Sequence, residues 1–320
     1  MRPTPLLPTF LMPASRTRRL ALNCALVGAA WVLGMAAAEP AYAKPVAGVE
    51  DTLLVVQDSL RGFSGELRFR ALKPDRTAPE QLESLLDLFG LDALSRPGIH
   101  RVTDPVTQEP FSFASLVPFT EKQDGRIGVY RVGRWPAEVR RPRSEAYQLP
   151  AGFIEVTEEN QHTQVSTNFT LGQFLTKDQR DVWPKMLLLD ERLVDKLELI
   201  LVELRLAGHK APGLHVLSGF RTPQYNSRGK KSGRATDSRH QYGDAADVFV
   251  DADGNGKMDD LNGDKRIDTK DALAFVRIVD KVEQKYPSLA GGVGLYRAVA
   301  GRGPFVHVDA RGERIRWGIP

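Results

Sequence analysis

Six residues, Ala245–Val250, read Ala-Ala-Asp-Val-Phe-Val, an apolar run that fits a strand entering a core and yet carries a carboxylate inside it. Burying an unpaired charge costs several kcal/mol, roughly, and a metal ion removes that cost. His240 stands upstream of Asp247 in a polar loop, and Gly243 between them permits a tight backbone approach. Further on, Phe305–Asp309 reads Phe-Val-His-Val-Asp, and strand alternation turns Phe305, His307 and Asp309 to one face and Val306 and Val308 to the other. Two histidines and a carboxylate are ligand types that suit zinc and leave a fourth position for water. Any fold that draws His240, Asp247 and His307 together therefore builds the ligand set of a hydrolytic site.

The pattern Ser238, His240, Gly243, Ala245, Asp247 is preceded by Ser218-Gly219-Phe220-Arg221 and followed by His307-Val308-Asp309. In these motifs and their order, over roughly 185–317, the chain resembles the M15-type zinc peptidases, which cut peptidoglycan peptides at D-amino-acid-containing bonds. The likeness is to the branch of periplasmic murein endopeptidases whose last motif is His-x-Asp. The resemblance implies one catalytic zinc on His240, Asp247 and His307, and a substrate carboxylate near Arg221, with Ser218 and Ser238 beside it. Many members carry an acidic general base three residues before the last histidine, where this chain has Pro304. That leaves Asp309 as the carboxylate nearest by covalent geometry. It either serves as the base or orients a zinc-bound imidazole, with Arg311 or Arg314 as a further partner.

Before that region, Arg16, Arg18 and Arg19 precede an apolar run, Leu20–Ala38, that ends in Ala41-Tyr42-Ala43, the pattern of a signal peptide cleaved near Ala43. An uncleaved anchor is the alternative, which the small-residue site disfavours. Cys24, the chain's single cysteine, lies in the run, so the mature chain is expected to have no disulfide and to be periplasmic or secreted. Four arginines and one glutamate precede Lys44, leaving 40 basic and 39 acidic residues. A pI near 9.1 is thus no argument for nucleic acid, and no stable membrane insertion is expected after cleavage.

Residues 44–116 form an N-terminal region with one amphipathic helix expected at Ala78–Phe89 and no visible chemistry. Across 117–184 short β-like runs, Arg126–Val132, Gly152–Val156 and Thr163–Leu171, predict a small β-rich module. Its Arg134, Arg140, Arg141 and Arg143 read as a solvated loop, and Trp135 and Tyr147 as packing residues or sugar platforms.

From 185 to 320 the pattern predicts an α+β domain, a mostly antiparallel sheet flanked by helices. Asp190 caps a helix with the stripe Leu193, Leu197, Ile200, Leu201 and Leu204, and Gly208 ends it. Leu214–Leu217 is a strand delivering Arg221, Thr269–Tyr286 a second helix, and Gly291–Tyr296 a glycine-rich strand, a weak phosphate signal.

Between them, 251–271 is an insertion with two overlapping calcium-loop frames. Asp251, Asp253, Asn255, Lys257, Asp259 and Asn262 fit positions 1, 3, 5, 7, 9 and 12, with Gly256 at position 6. Asp260, Asn262, Asp264, Arg266, Asp268 and Asp271 fit the second, with Lys265 at the glycine position. One or two structural calcium ions are expected, bracing the strand before them.

The function these features predict is a zinc metallopeptidase acting on peptidoglycan stem peptides or crosslinks. The alternative is a metal-stabilised module that holds cell-wall peptides without cutting them, which Pro304 favours. A calcium-dependent adhesion protein rests on the acidic insert alone. Endo- or carboxypeptidase specificity and oligomeric state are not set by the sequence.

Overall fold

The apolar run at 245–250 is a strand in the structure, a computed structural model that describes residues 67–72, 96–103, 110–229 and 233–319. The signal peptide, Cys24 and the helix expected at Ala78–Phe89 lie outside the described residues. The described residues all belong to one compact unit, Val49–Pro320. Among them no helix is long and apolar enough to cross a membrane.

In chain order the first strands are β1 (Leu67–Leu72), β2 (Gly98–Thr103), β3 (Pro110–Ser115), β4 (Val117–Pro118), β5 (Arg126–Ile127), β6 (Tyr130–Arg131) and β7 (Gly152–Val156). There follow β8 (Gln164–Ser166), β9 (Phe169–Thr170), β10 (Lys185–Leu187) and β11 (Leu214–Ser218). The last are β12 (Ala245–Val250), β13 (Gly292–Tyr296), β14 (Phe305–Asp309) and β15 (Ile315–Trp317). The α-helices are α1 (Glu191–Leu206), α2 (Pro223–Arg228) and α3 (Thr269–Lys285). Several antiparallel sheets and few helices make the fold α+β.

The sheet that matters here has the order β11-β12-β14-β13-β15. Its pairs are antiparallel except β13 with β15, which run parallel. Helices α1 and α3 pack on each other, and α3 lies against β13 and β14. Helix α1 starts where the sequence places it, because the Asp190 carboxylate accepts the Arg192 N–H at 2.9 Å and leaves fewer orphan donors in the first turn. Its stripe Leu193, Leu197, Ile200, Leu201 and Leu204 is buried. Beyond it Gly208 takes the left-handed conformation, φ 86°, that a side chain disfavours.

The β-rich segment is not a separate module. Strand β10, just past the expected boundary at 184, pairs antiparallel with β7. Trp135 is wholly buried, packs 5.6 Å from both Phe119 and Phe153, and donates its indole N–H to the Gln241 carbonyl at 2.8 Å. Phe220 N–H donates to the Phe174 carbonyl at 2.8 Å. Alternating short strands give no sign of which larger sheet they will share a core with, so the boundary was not visible in the pattern. Trp135 is therefore core, and truncating it to Ala would cost about 3–5 kcal/mol. Tyr147 packs edge-on to Tyr242 beneath Arg143 and Arg239, while Arg140 and Arg143 both reach Asp237.

Candidate metal centre

Register across the sheet assembles the site. Ser218 on β11 is opposite Asp247 on β12, Asp247 opposite His307 on β14, His307 opposite Gly294 on β13, and Gly294 opposite Trp317 on β15. Residues directly opposite share a face of the sheet, so one row carries Ser218, Asp247, His307 and Trp317, with a gap at Gly294. A β-carbon on Gly294 would lie 2.1 Å from the Trp317 ring, so only glycine lets the indole lean across to stand 5.0 Å from the His307 ring. The glycines of β13 thus serve close packing, not a phosphate.

His240 arrives from outside the sheet, on the 3-10 turn Arg239–Tyr242. Gly243 closes that turn with φ 78°, pressed so close that a β-carbon would lie 2.4 Å from the Leu188 backbone. Ser238 precedes the turn and accepts the Gln241 N–H through its carbonyl at 3.0 Å. The neighbouring Arg239 is buried, paired with Asp244 and bonded to the Ala146 carbonyl, which fixes the turn against the β-rich segment.

His240, Asp247 and His307 converge as the sequence predicts, and all three are buried. His240 Nε2 is 3.0 Å from His307 Nδ1 and 3.2 Å from Asp247 Oδ1, and His307 Nδ1 is 3.1 Å from Asp247 Oδ1. The opposite ring nitrogens are already committed. His240 Nδ1 is 2.6 Å from the Gly219 carbonyl, which can only accept, and His307 Nε2 is 3.1 Å from Asp309 Oδ2. In the neutral rings the protons therefore sit on those outer nitrogens, and the inner ones present lone pairs beside a carboxylate oxygen.

Three acceptors pointed at one another need a cation. Tetrahedral zinc with bonds of about 2.0–2.1 Å sets its ligand atoms about 3.3 Å apart, close to the three separations found. The donor set thus fits a bound metal ion. Titration follows the same logic. Burial pushes His240 down to about 4, against the pull of the Asp247 charge. Burial would lower His307 too, yet its hydrogen bonds to Asp247 and Asp309 raise it, since a proton on Nδ1 is the other species that satisfies Asp247 there. Burial would raise Asp247, but His240, His307 and Arg221 hold it well below the usual carboxylate range.

The Arg221 guanidinium pairs with Asp247 Oδ2, and its Nε donates to Ser218 Oγ at 2.8 Å. In this structure Ser218 thus steadies the arginine, and the arginine steadies a ligand. Lys177, exposed, also feels the Asp247 charge, although its ammonium is lowered first by partial burial.

Of the two roles the sequence leaves open for Asp309, the contacts favour the orienting one. Its oxygens accept from His307 Nε2, from Arg311 through Nε at 2.9 Å and a second guanidinium nitrogen, and from the Gly292 N–H at 2.7 Å. It is fully buried and lies on the edge of the imidazole away from the ligand nitrogens. Those partners hold its carboxyl far below the ordinary range despite burial. It orients His307, and the ring itself stands between it and the metal position.

In the insertion the two calcium frames part company. Asp251, Asp253 and Asp259 each bring an oxygen to within 4.8 Å of the others. No three carboxylates of the second frame do so among the described residues. There Asp260 accepts the Gly263 and Lys265 N–H groups, both at 2.7 Å, and Asn262 Oδ1 accepts the Asp264 N–H at 2.8 Å. Asp264 meets the Lys270 ammonium at 3.2 Å, while Asp268 and the wholly buried Asp271 form the capping box of α3. The same spacing that suits a cation also suits local turns and a helix cap. Such turns occur in the first frame too, where Asp251 accepts the Gly256 N–H and Asp253 the Asn255 N–H. What separates the frames is the gathering of three carboxylates in the first.

Two contributors were missed in the sequence. The Gly219 carbonyl could not be found from residue type, and Trp317 becomes a neighbour of His307 only through the parallel pairing of β15. Comparison of the chain with protein-family models, with curated proteins and with solved structures finds no match.

Proposed function

We propose that the chain is a zinc metallopeptidase that hydrolyses peptidoglycan stem peptides or crosslinks at D-amino-acid-containing bonds, exported to the periplasm or beyond through its N-terminal signal. The observation that carries this reading is the mutual 3.0–3.2 Å spacing of His240 Nε2, His307 Nδ1 and Asp247 Oδ1, on the motifs that resemble the M15-type peptidases. These three atoms would hold the ion. When bound, zinc activates water and polarises a scissile carbonyl. The chain supplies the rest. Gly219 and Asp309 lock the two imidazoles in the tautomers that bind metal. Arg221 fixes the Asp247 carboxylate through one guanidinium nitrogen and Ser218 through Nε, which leaves part of the planar fork for a substrate carboxylate. Trp317 offers a partly exposed aromatic wall beside His307 for a peptide chain.

The second reading, a module that binds cell-wall peptides without cleaving them, is favoured by two observations: Pro304 stands where a base is common, and Asp309 is turned away from the ligand atoms. One experiment separates the two. Purified chain containing one zinc is incubated with sacculi and defined muropeptides, and products are identified by mass spectrometry. New peptide termini that vanish in His307→Ala support the peptidase. Zinc bound in full, with substrate retained and no new product, assigns the binding module.

A further inference from the structure

The acidic loop after β12 gathers a second group of ligand-type side chains, all of them carboxylates. Asp251, the first residue past β12, has only 7 % of its side chain exposed. Its Oδ2 accepts the Gly256 N–H at 3.0 Å and lies 3.4 Å from His215 Nδ1, while Oδ1 is buried without any hydrogen-bond partner. A buried carboxylate oxygen left unsatisfied is costly, and it belongs to a residue whose ligand atom lies within 4.8 Å of those of Asp253 and Asp259. Oxygen ligands on calcium, with bonds of about 2.3–2.6 Å, can stand up to about 5 Å apart across the ion, so these three are close enough to share one. Three aspartates gathered so closely also repel one another until a cation sits among them.

The loop is tied to both strands that carry ligands of the first site. Asp259 N–H donates to the carbonyl of Val250, the last residue of β12, at 2.9 Å, and the Ala252 N–H donates to Asp259 Oδ2 at 2.8 Å. Met258 is fully buried in the core. A β-carbon on Gly303, just before β14, would lie 3.8 Å from Lys257 Cβ and Met258 N, so the loop rests on the entry to β14 as well.

We propose that Asp251, Asp253, Asn255 and Asp259, with the Lys257 carbonyl, bind one calcium ion, and that this ion locks the end of β12 to the start of β14 and so holds Asp247 opposite His307. The site stands on its own residues and does not rest on the peptidase reading.

The test uses the full chain, stripped of divalent cations, reloaded with one equivalent of zinc and titrated calorimetrically with calcium chloride. One calcium should bind, and at calcium about a hundredfold above its Kd the melting temperature should rise by about 5 °C. Asp253→Asn, at an exposed position, should bind calcium at least tenfold more weakly while its melting curve without calcium matches the wild type. Release of zinc to a chromogenic chelator should be several-fold slower with calcium present. No heat and no change in melting up to calcium of about 10 mM, well above the range of extracellular modules, would overturn the site. So would calcium binding undiminished in the double variant Asp253→Asn, Asp259→Asn. Zinc release indifferent to bound calcium would overturn the locking role. Calcium binding should survive in His240→Ala, which keeps a failure of the zinc site distinct from a failure of this one.

Discussion

Asp309→Asn tests how the metal centre is held. The wild-type carboxylate accepts from the Gly292 N–H at 2.7 Å and from Arg311 Nε at 2.9 Å through Oδ1, and from His307 Nε2 and Arg311 through Oδ2. An asparagine that keeps its oxygen toward Gly292 places an NH2 group where Oδ2 was, facing two donors. His307 relieves the conflict by shifting its proton to Nδ1, and that removes the lone pair meant for the metal. Loss of such a partner weakens metal binding about 10- to 100-fold, or about 1.4–2.7 kcal/mol at 1.36 kcal/mol per decade. Arg311 also loses its counter-charge. Breaking a buried pair costs about 3–5 kcal/mol, and the 15 % exposure of the arginine side chain reduces that to about 2–3 kcal/mol of stability by solvent screening. Competition for zinc against a chromogenic chelator measures the first effect and urea unfolding the second. Zinc affinity within twofold of wild type would refute the orienting role. If turnover then fell a hundredfold or more with zinc fully bound, Asp309 would be a base after all.

Arg221→Met should lower zinc affinity about tenfold by freeing the Asp247 carboxylate from its charged partner; intact zinc binding with lost turnover only on carboxylate-terminated peptides would place the guanidinium on substrate instead. Gly243→Ala puts a β-carbon at φ 78° and 2.4 Å from the Leu188 backbone, so unfolding free energy in urea should fall by about 3 kcal/mol, and a loss under about 1 kcal/mol would contradict the close packing of the His240 turn. Asp195 on α1 has its carboxyl pushed up to about 6, by burial first and then by the Asp190 and Glu198 charges. A raised value means that folding favours the protonated acid, so its penalty is absent below about pH 4 and grows as pH rises through about 6. Asp195→Asn should therefore be more stable than wild type by about 1–2 kcal/mol near pH 8, after allowance for partial exposure, and equal to it near pH 4; equal unfolding curves near pH 8 would show that the group is not desolvated.

How much of the site could be read in the chain depended on whether each contact is local. The alternation in Phe305–Asp309 is a period-2 strand fact, the Ser238–Asp247 spacing is a turn closed by Gly243 that leads into a strand, and the structure places His240, Asp247 and His307 together. The caps of α1 and α3 are likewise local, set by Asp190 and Asp268 within their own first turns. What the pattern could not carry is sheet order. Trp317 reaches His307 only because β15 lies parallel to β13, and Gly294 is glycine only because that indole crosses it. Sheet order also decides the role of Asp309. Same-face geometry with His307 is equally compatible with a carboxylate beside the metal and with one behind the ring. The choice is made by Gly292 across β13, whose N–H and missing side chain give Asp309 and Arg311 a place on the far edge of the imidazole. A chain in which position 292 bore a side chain would push that carboxylate elsewhere: a β-carbon there would lie 2.4 Å from Asp309 Oδ2 and 2.9 Å from the Arg311 guanidinium. The glycine that reads as an idle member of a Gly-rich run is thus what separates an orienting aspartate from a basic one.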